Sequence, residues 1–182
     1  IQSNASLGTS MTWRDATRLW SGSPYYSRQN DTNTGAIDEF IYNTASDTAS
    51  SNGGPYDING LGLAGQSNSD DAFYAYAMAS DEATNWIVVG APGKNNDQGM
   101  TYVMDSNFAV SHQALAAPST DNDDSFGITV DICSNERLIV GAPGDDGPGN
   151  TSADTGAAFV YELTNTGFSL MYEARIPALP SG

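Results

Sequence analysis

The stretch Asp124-Ser125-Phe126-Gly127-Ile128-Thr129-Val130-Asp131-Ile132 leads into Leu138-Ile139-Val140-Gly141-Ala142-Pro143. It then crosses a polar segment with Asp145-Asp146 to Thr155-Gly156-Ala157-Ala158-Phe159-Val160-Tyr161. Phe126, Ile128, Val130 and Ile132 alternate with their neighbours, the period of a half-buried strand. Residues 137–140 form a second short apolar run, and Pro143 closes it because proline donates no N–H to a ladder. Residues 157–163 are rich in Phe, Val and Tyr, which favour strands. Residues 168–176 supply a fourth run. Four short strands joined by tight turns make one unit.

The same phrase occurs twice more, as Leu7-Gly8…Ser21-Gly22-Ser23-Pro24 and as Phe73-Tyr74…Val89-Gly90-Ala91-Pro92. Each copy passes through an Asx-rich stretch to a glycine, Gly35 or Gly99, that opens a β-rich run. The phrase starts at residues 7, 73 and 126, and its internal step to Gly22, Gly90 and Gly141 is 15, 17 and 15 residues. The second copy predicts strands over 73–79, 86–89, 100–104 and 108–115. The first predicts 7–13, 17–20, 36–42 and a weak 56–63. Residues 43–69, rich in Ser, Gly, Asn and Ala, read as an inserted surface loop. Long 3.6-residue periodicity is absent. These patterns predict an all-β chain of three four-stranded antiparallel blades of propeller type, over 1–64, 65–119 and 120–182.

The phrase resembles the FG-GAP repeat, the blade unit of integrin-α-type β-propellers. The third copy is the nearest match, with Phe126-Gly127, Gly141-Ala142-Pro143 and the Gly156 to Tyr161 run. The second copy has Tyr74 in place of the second glycine, and the first reads Leu7-Gly8 and Gly22-Ser23-Pro24. The resemblance implies an extracellular or cell-surface module with a structural or adhesive role and no catalysis. It implies partners such as glycans or cell-surface proteins, further blades, or copies of the chain itself. It also implies Ca²⁺ in the loops between strands. The small Gly and Ala of the phrase are expected to let neighbouring backbones approach, and its aromatic to anchor one blade on the next.

The net charge is −16, with one Lys and five Arg. So few cations exclude phosphate neutralisation on nucleic acid. No apolar run approaches the ~20 residues of a membrane span. Acids are mostly Asp, 17 against 5 Glu, a short side chain suited both to turns and to hard cations. The candidate calcium ligands are Asp31 and Asn33 after the first Ser-Pro, and Asp121, Asp123 and Asp124 before the third Phe-Gly. Asp145, Asp146, Asn150 and Asp154 follow the third Gly-Ala-Pro, and Asn95, Asn96 and Asp97 the second. Gly147-Pro148-Gly149 departs from the integrin ligand spacing.

The sequons Asn4-Ala5-Ser6, Asn30-Asp31-Thr32 and Asn150-Thr151-Ser152 make Asn4, Asn30 and Asn150 candidate glycan acceptors if the chain is secreted. Tyr25, Tyr26 and Tyr56, read as loop residues, are the candidate platform of a competing lectin-like function. Trp20 and Trp86 read as packing residues. A propeller-scaffold glycan hydrolase is the other alternative, since a carboxylate pair could lie among the acids. His112, the one histidine, reads as a surface strand residue, and Cys133 as a buried thiol. Ala178-Leu179-Pro180-Ser181-Gly182 resembles Ala116-Ala117-Pro118-Ser119-Thr120. Both ends thus read as repeat seams, an expectation that the unit is continued, by more chain or by another copy.

Overall fold

A computed structural model describes residues 5–27, 32–57, 72–105, 112–118, 121–134, 137–148 and 155–175. Within them lie three four-stranded antiparallel sheets, each a meander in chain order. Blade 1 holds β1 (Ser10–Trp13), β2 (Arg18–Ser23), β3 (Ala36–Asn43) and β4 (Thr48–Tyr56). Blade 2 holds β5 (Ala77–Asp81), β6 (Trp86–Ala91), β7 (Met100–Asp105) and β8 (His112–Leu115). Blade 3 holds β9 (Thr129–Cys133), β10 (Arg137–Ala142), β11 (Ala157–Thr164) and β12 (Gly167–Arg175). The first strands β1, β5 and β9 lie against one another in succession, as the inner strands of a partial propeller do.

Aspartate and asparagine make the hairpins. Asp15 Oδ1 accepts the N–H groups of Thr17 and Arg18, both at 2.9 Å, between β1 and β2. Asn43 Oδ1 accepts Ala45 N–H at 2.9 Å between β3 and β4, where Asp47 takes a left-handed φ of 53°. Asp81 Oδ1 accepts Ala83 N–H at 3.2 Å, and Asn85 closes that turn at φ 59°. Short side chains that bond their own backbone and tolerate positive φ are the reason.

β2, β6 and β10 each end on the residue before Pro24, Pro92 or Pro143, as the missing N–H requires. The apolar core lies between blades. One cluster joins Trp20 and Ile37 of blade 1 to Tyr74, Met78, Ile87, Val89 and Tyr102 of blade 2. The other joins Val88, Val103 and Leu115 of blade 2 to Phe126, Leu138, Val140, Phe159 and Phe168 of blade 3.

Four expectations need correction. The fourth strand of blade 1 is Thr48–Tyr56, not 56–63, so a third of the supposed insertion is an outer strand. It is exposed along most of its length and lacks alternation, being held by its ladder to β3. Cys133 is exposed rather than buried, at the far end of β9 on a face no sheet covers. Finally, the second copy is read one residue early. Phe73, Ser125 and Ser6 share a left-handed φ of 50°, 54° and 56°. Tyr74-Ala75 therefore matches Phe126-Gly127 and Leu7-Gly8, and Tyr56 stands in a strand rather than a loop.

Candidate functional site

The joints between blades are built from the repeated phrase. Gly35 forms a parallel bridge with Tyr74, and Gly99 one with Phe126. Beside them, Phe73 and Tyr74 donate N–H to the carbonyls of Asn33 and Thr34 at 3.0 and 3.2 Å. In the next joint Ser125 and Phe126 donate to Asp97 and Gln98 at 2.7 and 3.0 Å. The glycine of Gly-Ala-Pro faces the following blade. A Cβ on Gly22 would strike the Ala75 carbonyl, and one on Gly90 would lie 2.9 Å from the Gly127 carbonyl carbon and nearer its oxygen. Only a hydrogen fits there.

Side chains reinforce these seams. Ser10 Oγ donates to Ala75 O at 2.7 Å, and Thr12 Oγ1 and Ser80 Oγ lie 2.8 Å apart. Gln113 acts as a substitute strand edge: its Nε2 donates to Phe168 O at 2.7 Å while its Oε1 accepts Phe168 N–H at 2.6 Å. Trp86 packs edge-on to Phe168 with ring centres 5.9 Å apart. Gln113, Trp86 and Phe168 line a cleft of about 510 Å³ with Val103 and Leu163. Nothing in the sequence marks Gln113, because its role needs two strands from different repeats.

Blade 1 carries a buried ionic cluster that sequence reasoning missed. Glu39 accepts from Arg14 Nη1 and Trp20 Nε1, both at 2.9 Å, and from Asn52, while Arg14 lies 5.5 Å over the Trp20 ring. Burial pushes the Glu39 carboxyl up, but bonds from Asn52, Arg14 and Trp20 outweigh this and hold it below the ordinary range. Val103 and Val160 occupy the matching register positions, so the cluster belongs to blade 1 alone.

The acidic loops of blade 3 meet around Asp145, which is only 1% exposed. Its Oδ1 accepts Gly147 N–H at 2.7 Å and pairs with Arg175, and its backbone carbonyl accepts Gly156 N–H at 3.0 Å. Asp145 Oδ2 and Arg175 Nη2 are buried without a hydrogen-bond partner. Asp124 is also buried, and its Oδ2 accepts Asp121 N–H at 2.7 Å. Burial and the charges of Asp145, Asp121 and Asp146 push its carboxyl up. Asp123 is exposed with φ 72°. Among the described residues no three acidic, His or Cys side chains converge as metal ligands. A Ca²⁺ here would need backbone carbonyls and ligands from 149–154, and it would compete with Arg175.

The other predicted residues are dispersed. Asn33 serves the first joint through its carbonyl. Asn95, Asn96 and Asp97 form an exposed left-handed turn, with φ near 60° at each. Tyr25 is exposed and packs edge-on to Phe73, ring centres 5.3 Å apart. Tyr26 is half-buried, and its carbonyl accepts Gly35 N–H at 3.0 Å. Tyr56 is half-buried against the first inter-blade cluster. Asn4, Asn30, Asp31, Asn150 and Asp154 lie outside the described residues. His112 stands on β8, paired in register with Met104.

Compared with known families, the chain matches the FG-GAP repeat over residues 110–161. This span runs from β8 through β9 and β10 into β11. This stretch of the chain is an FG-GAP repeat. The FG-GAP match coincides with the copy whose Phe126-Gly127 and Gly141-Ala142-Pro143 are complete, and the other two blades repeat its hydrogen bonds with altered residues. No curated protein matches the chain. No described helix is long and apolar enough to cross a membrane.

Proposed function

We propose that this FG-GAP repeat protein is a non-catalytic structural or adhesive module at the cell exterior, working by contact through its blade faces and loops. The observation that carries this reading is the state of the two end faces. Ile139 of blade 3 occupies the register position of Val88 and Trp20, yet it is 45% exposed where they are fully buried. Leu7 matches Tyr74 and Phe126, yet it is 55% exposed where they are fully buried. Exposed apolar faces of this kind mark contact surfaces. Calcium is the cofactor of this reading, since a cation at the Asp121, Asp124, Asp145 and Asp146 loops would relieve the mutual repulsion that Asp124 registers.

Antibody labelling of intact producing cells tests the location, and incubation with a polysaccharide panel tests the lack of catalysis. Surface labelling without turnover is the expected result. Labelling only after permeabilisation, or hydrolysis abolished by one Asp substitution, would overturn the reading. Glycan binding lost in Tyr25→Ala would instead favour the lectin-like alternative, because Tyr25 is the exposed member of the tyrosine set.

A further inference from the structure

We propose that copies of this chain join head to tail, the open face of blade 3 receiving the Leu7-Gly8 turn of another copy's blade 1 in the register of the internal joints. This rests on the contact-module reading above and names its partner.

Among the described residues, both halves of a third joint are present and unfilled. In the internal joints, Gly35 and Gly99 bridge Tyr74 and Phe126, and added Cβ atoms there would strike those backbones. Gly156, which follows β10 as Gly99 follows β6, meets only its own blade: the nearest atom to an added Cβ is Pro143 O at 3.2 Å. Gly141, the match of Gly22 and Gly90, meets only Thr129. On the other side, Gly127 is crowded by blade 2, its added Cβ lying 2.5 Å from Met100 O. Gly8 shares its φ, 93° against 94°, but has nothing within 4 Å. The Gly8 turn is nevertheless formed, with Gly8 N–H donating to Gly22 O at 3.0 Å as Gly127 donates to Gly141 O. The hook and the socket are each in the shape they hold inside the chain. The same operator that places blade 2 on blade 1 therefore places Leu7 on Gly156 and Gly8 on Gly141.

Charge supports this pairing at the rim. In the second joint Trp86 packs on Phe168 and shares a cleft with Leu163. Register matching puts Arg137 at the Trp86 position, and Tyr42 and Ala49 at those of Leu163 and Phe168. Tyr42 donates its hydroxyl hydrogen bond to Asp47 and packs edge-on to Trp13, which is exposed. The Arg137 guanidinium of one copy would thus meet two aromatic rings and a carboxylate of the next. Within the free chain its partner is Glu162, at 3.6 Å and half in solvent. The blade 1 face is more polar at its centre than its internal counterpart: Ser21 and Asp38 stand where Val140 and Phe159 stand in blade 3. The joint is therefore reversible rather than obligate. It is heterologous, so it closes into a ring or runs on as a filament.

Sedimentation velocity over a concentration series tests it, using wild type, Leu7→Asp and Ile139→Asp. Both side chains are exposed in the free chain, so both variants should fold, with circular dichroism as the check. Wild type should self-associate, and each variant should do so about 100-fold more weakly. Mixed together, the two variants should form a 1:1 dimer that grows no further, since each keeps one intact face. Arg137→Glu should weaken wild-type association, and Asp47→Lys in the same chain should restore it. A wild type that stays monomeric overturns the proposal. So does association that neither variant weakens, or an Ile139→Asp effect with no Leu7→Asp effect, which would mean a symmetric contact. None of these results touches surface labelling or the absence of turnover, which judge the contact-module reading separately.

Discussion

Gly90→Ala and Gly141→Ala change the same position of the same repeated phrase, and the structure predicts unequal costs. At Gly90 the new methyl would lie 2.9 Å from the Gly127 carbonyl carbon. Carbon atoms pack at about 3.5–4.0 Å, so blades 2 and 3 must separate by roughly 0.6–1.1 Å. A gap of that size forfeits about a quarter to a half of the contact energy of the atoms facing it. Those atoms belong to Val88, Val103, Leu115, Phe126, Val140 and Phe159. Overpacking of this kind costs about 1–3 kcal/mol, and the backbone on both sides puts Gly90→Ala at ~3. For a chain of this size that lowers Tm by about 6–12 °C. At Gly141 the methyl meets the Thr129 side chain, which is exposed and can rotate away. Its cost should stay within about 0.5 kcal/mol. Thermal and urea unfolding at a concentration where the chain is monomeric reads both. Equal losses, or a Gly90→Ala variant as stable as wild type, would refute the joint geometry. At high concentration Gly141→Ala should also block association, because it would strike the incoming Gly8 turn.

Asp145→Ala should cost about 1.5–3 kcal/mol in urea unfolding by removing its charge-assisted bond with Arg175, which keeps Glu173, and adding Arg175→Met should recover part of that; a single variant as stable as wild type would show that the pair contributes little. Asp15 is pushed up by burial but held at about 2 by bonds from Thr17 and Arg18, so its contribution is complete above pH ~4 and fades as pH falls toward ~2. Asp15→Asn should therefore lower Tm at pH 7 and not at pH 2, and a constant difference would contradict the assignment. Asp38 has the opposite sign: burial raises its carboxyl, against the Ser23 bond, so the ionised form opposes folding at neutral pH. Asp38→Asn should raise Tm at pH 7 and lose that advantage in acid, and a drop in Tm at pH 7 would count against it. Calcium at 100 times its dissociation constant should stabilise the fold by about 2.7 kcal/mol, reversed by EDTA; an unchanged Tm over a calcium titration removes the metal from the reading.

Strand count and sheet type were legible because alternation, Gly-Ala-Pro and Asx turns act over a few residues. β4 was not, because Thr48-Ala-Ser-Ser-Asn-Gly-Gly has no side-chain pattern and pairs only through its backbone. The exposure of Cys133 escaped notice for a related reason. Ile132 and Cys133 are adjacent apolar residues on opposite faces of β9, and only the face turned to blade 2 is covered. In the site, the acidic loops were found by residue type, whereas the Asp145–Arg175 pair joins residues 30 apart that composition cannot pair.

By itself the sequence determined that this chain is a threefold repeat of four short strands with small residues at each seam, since those signals are local. Only the tertiary structure decided which copy of each residue is a joint and which an open end. Leu7 and Phe126, or Gly90 and Gly141, are the same letters in the same phrase. They differ in whether a neighbouring blade removes them from water, and burial is a property of what packs against a residue rather than of the residue itself.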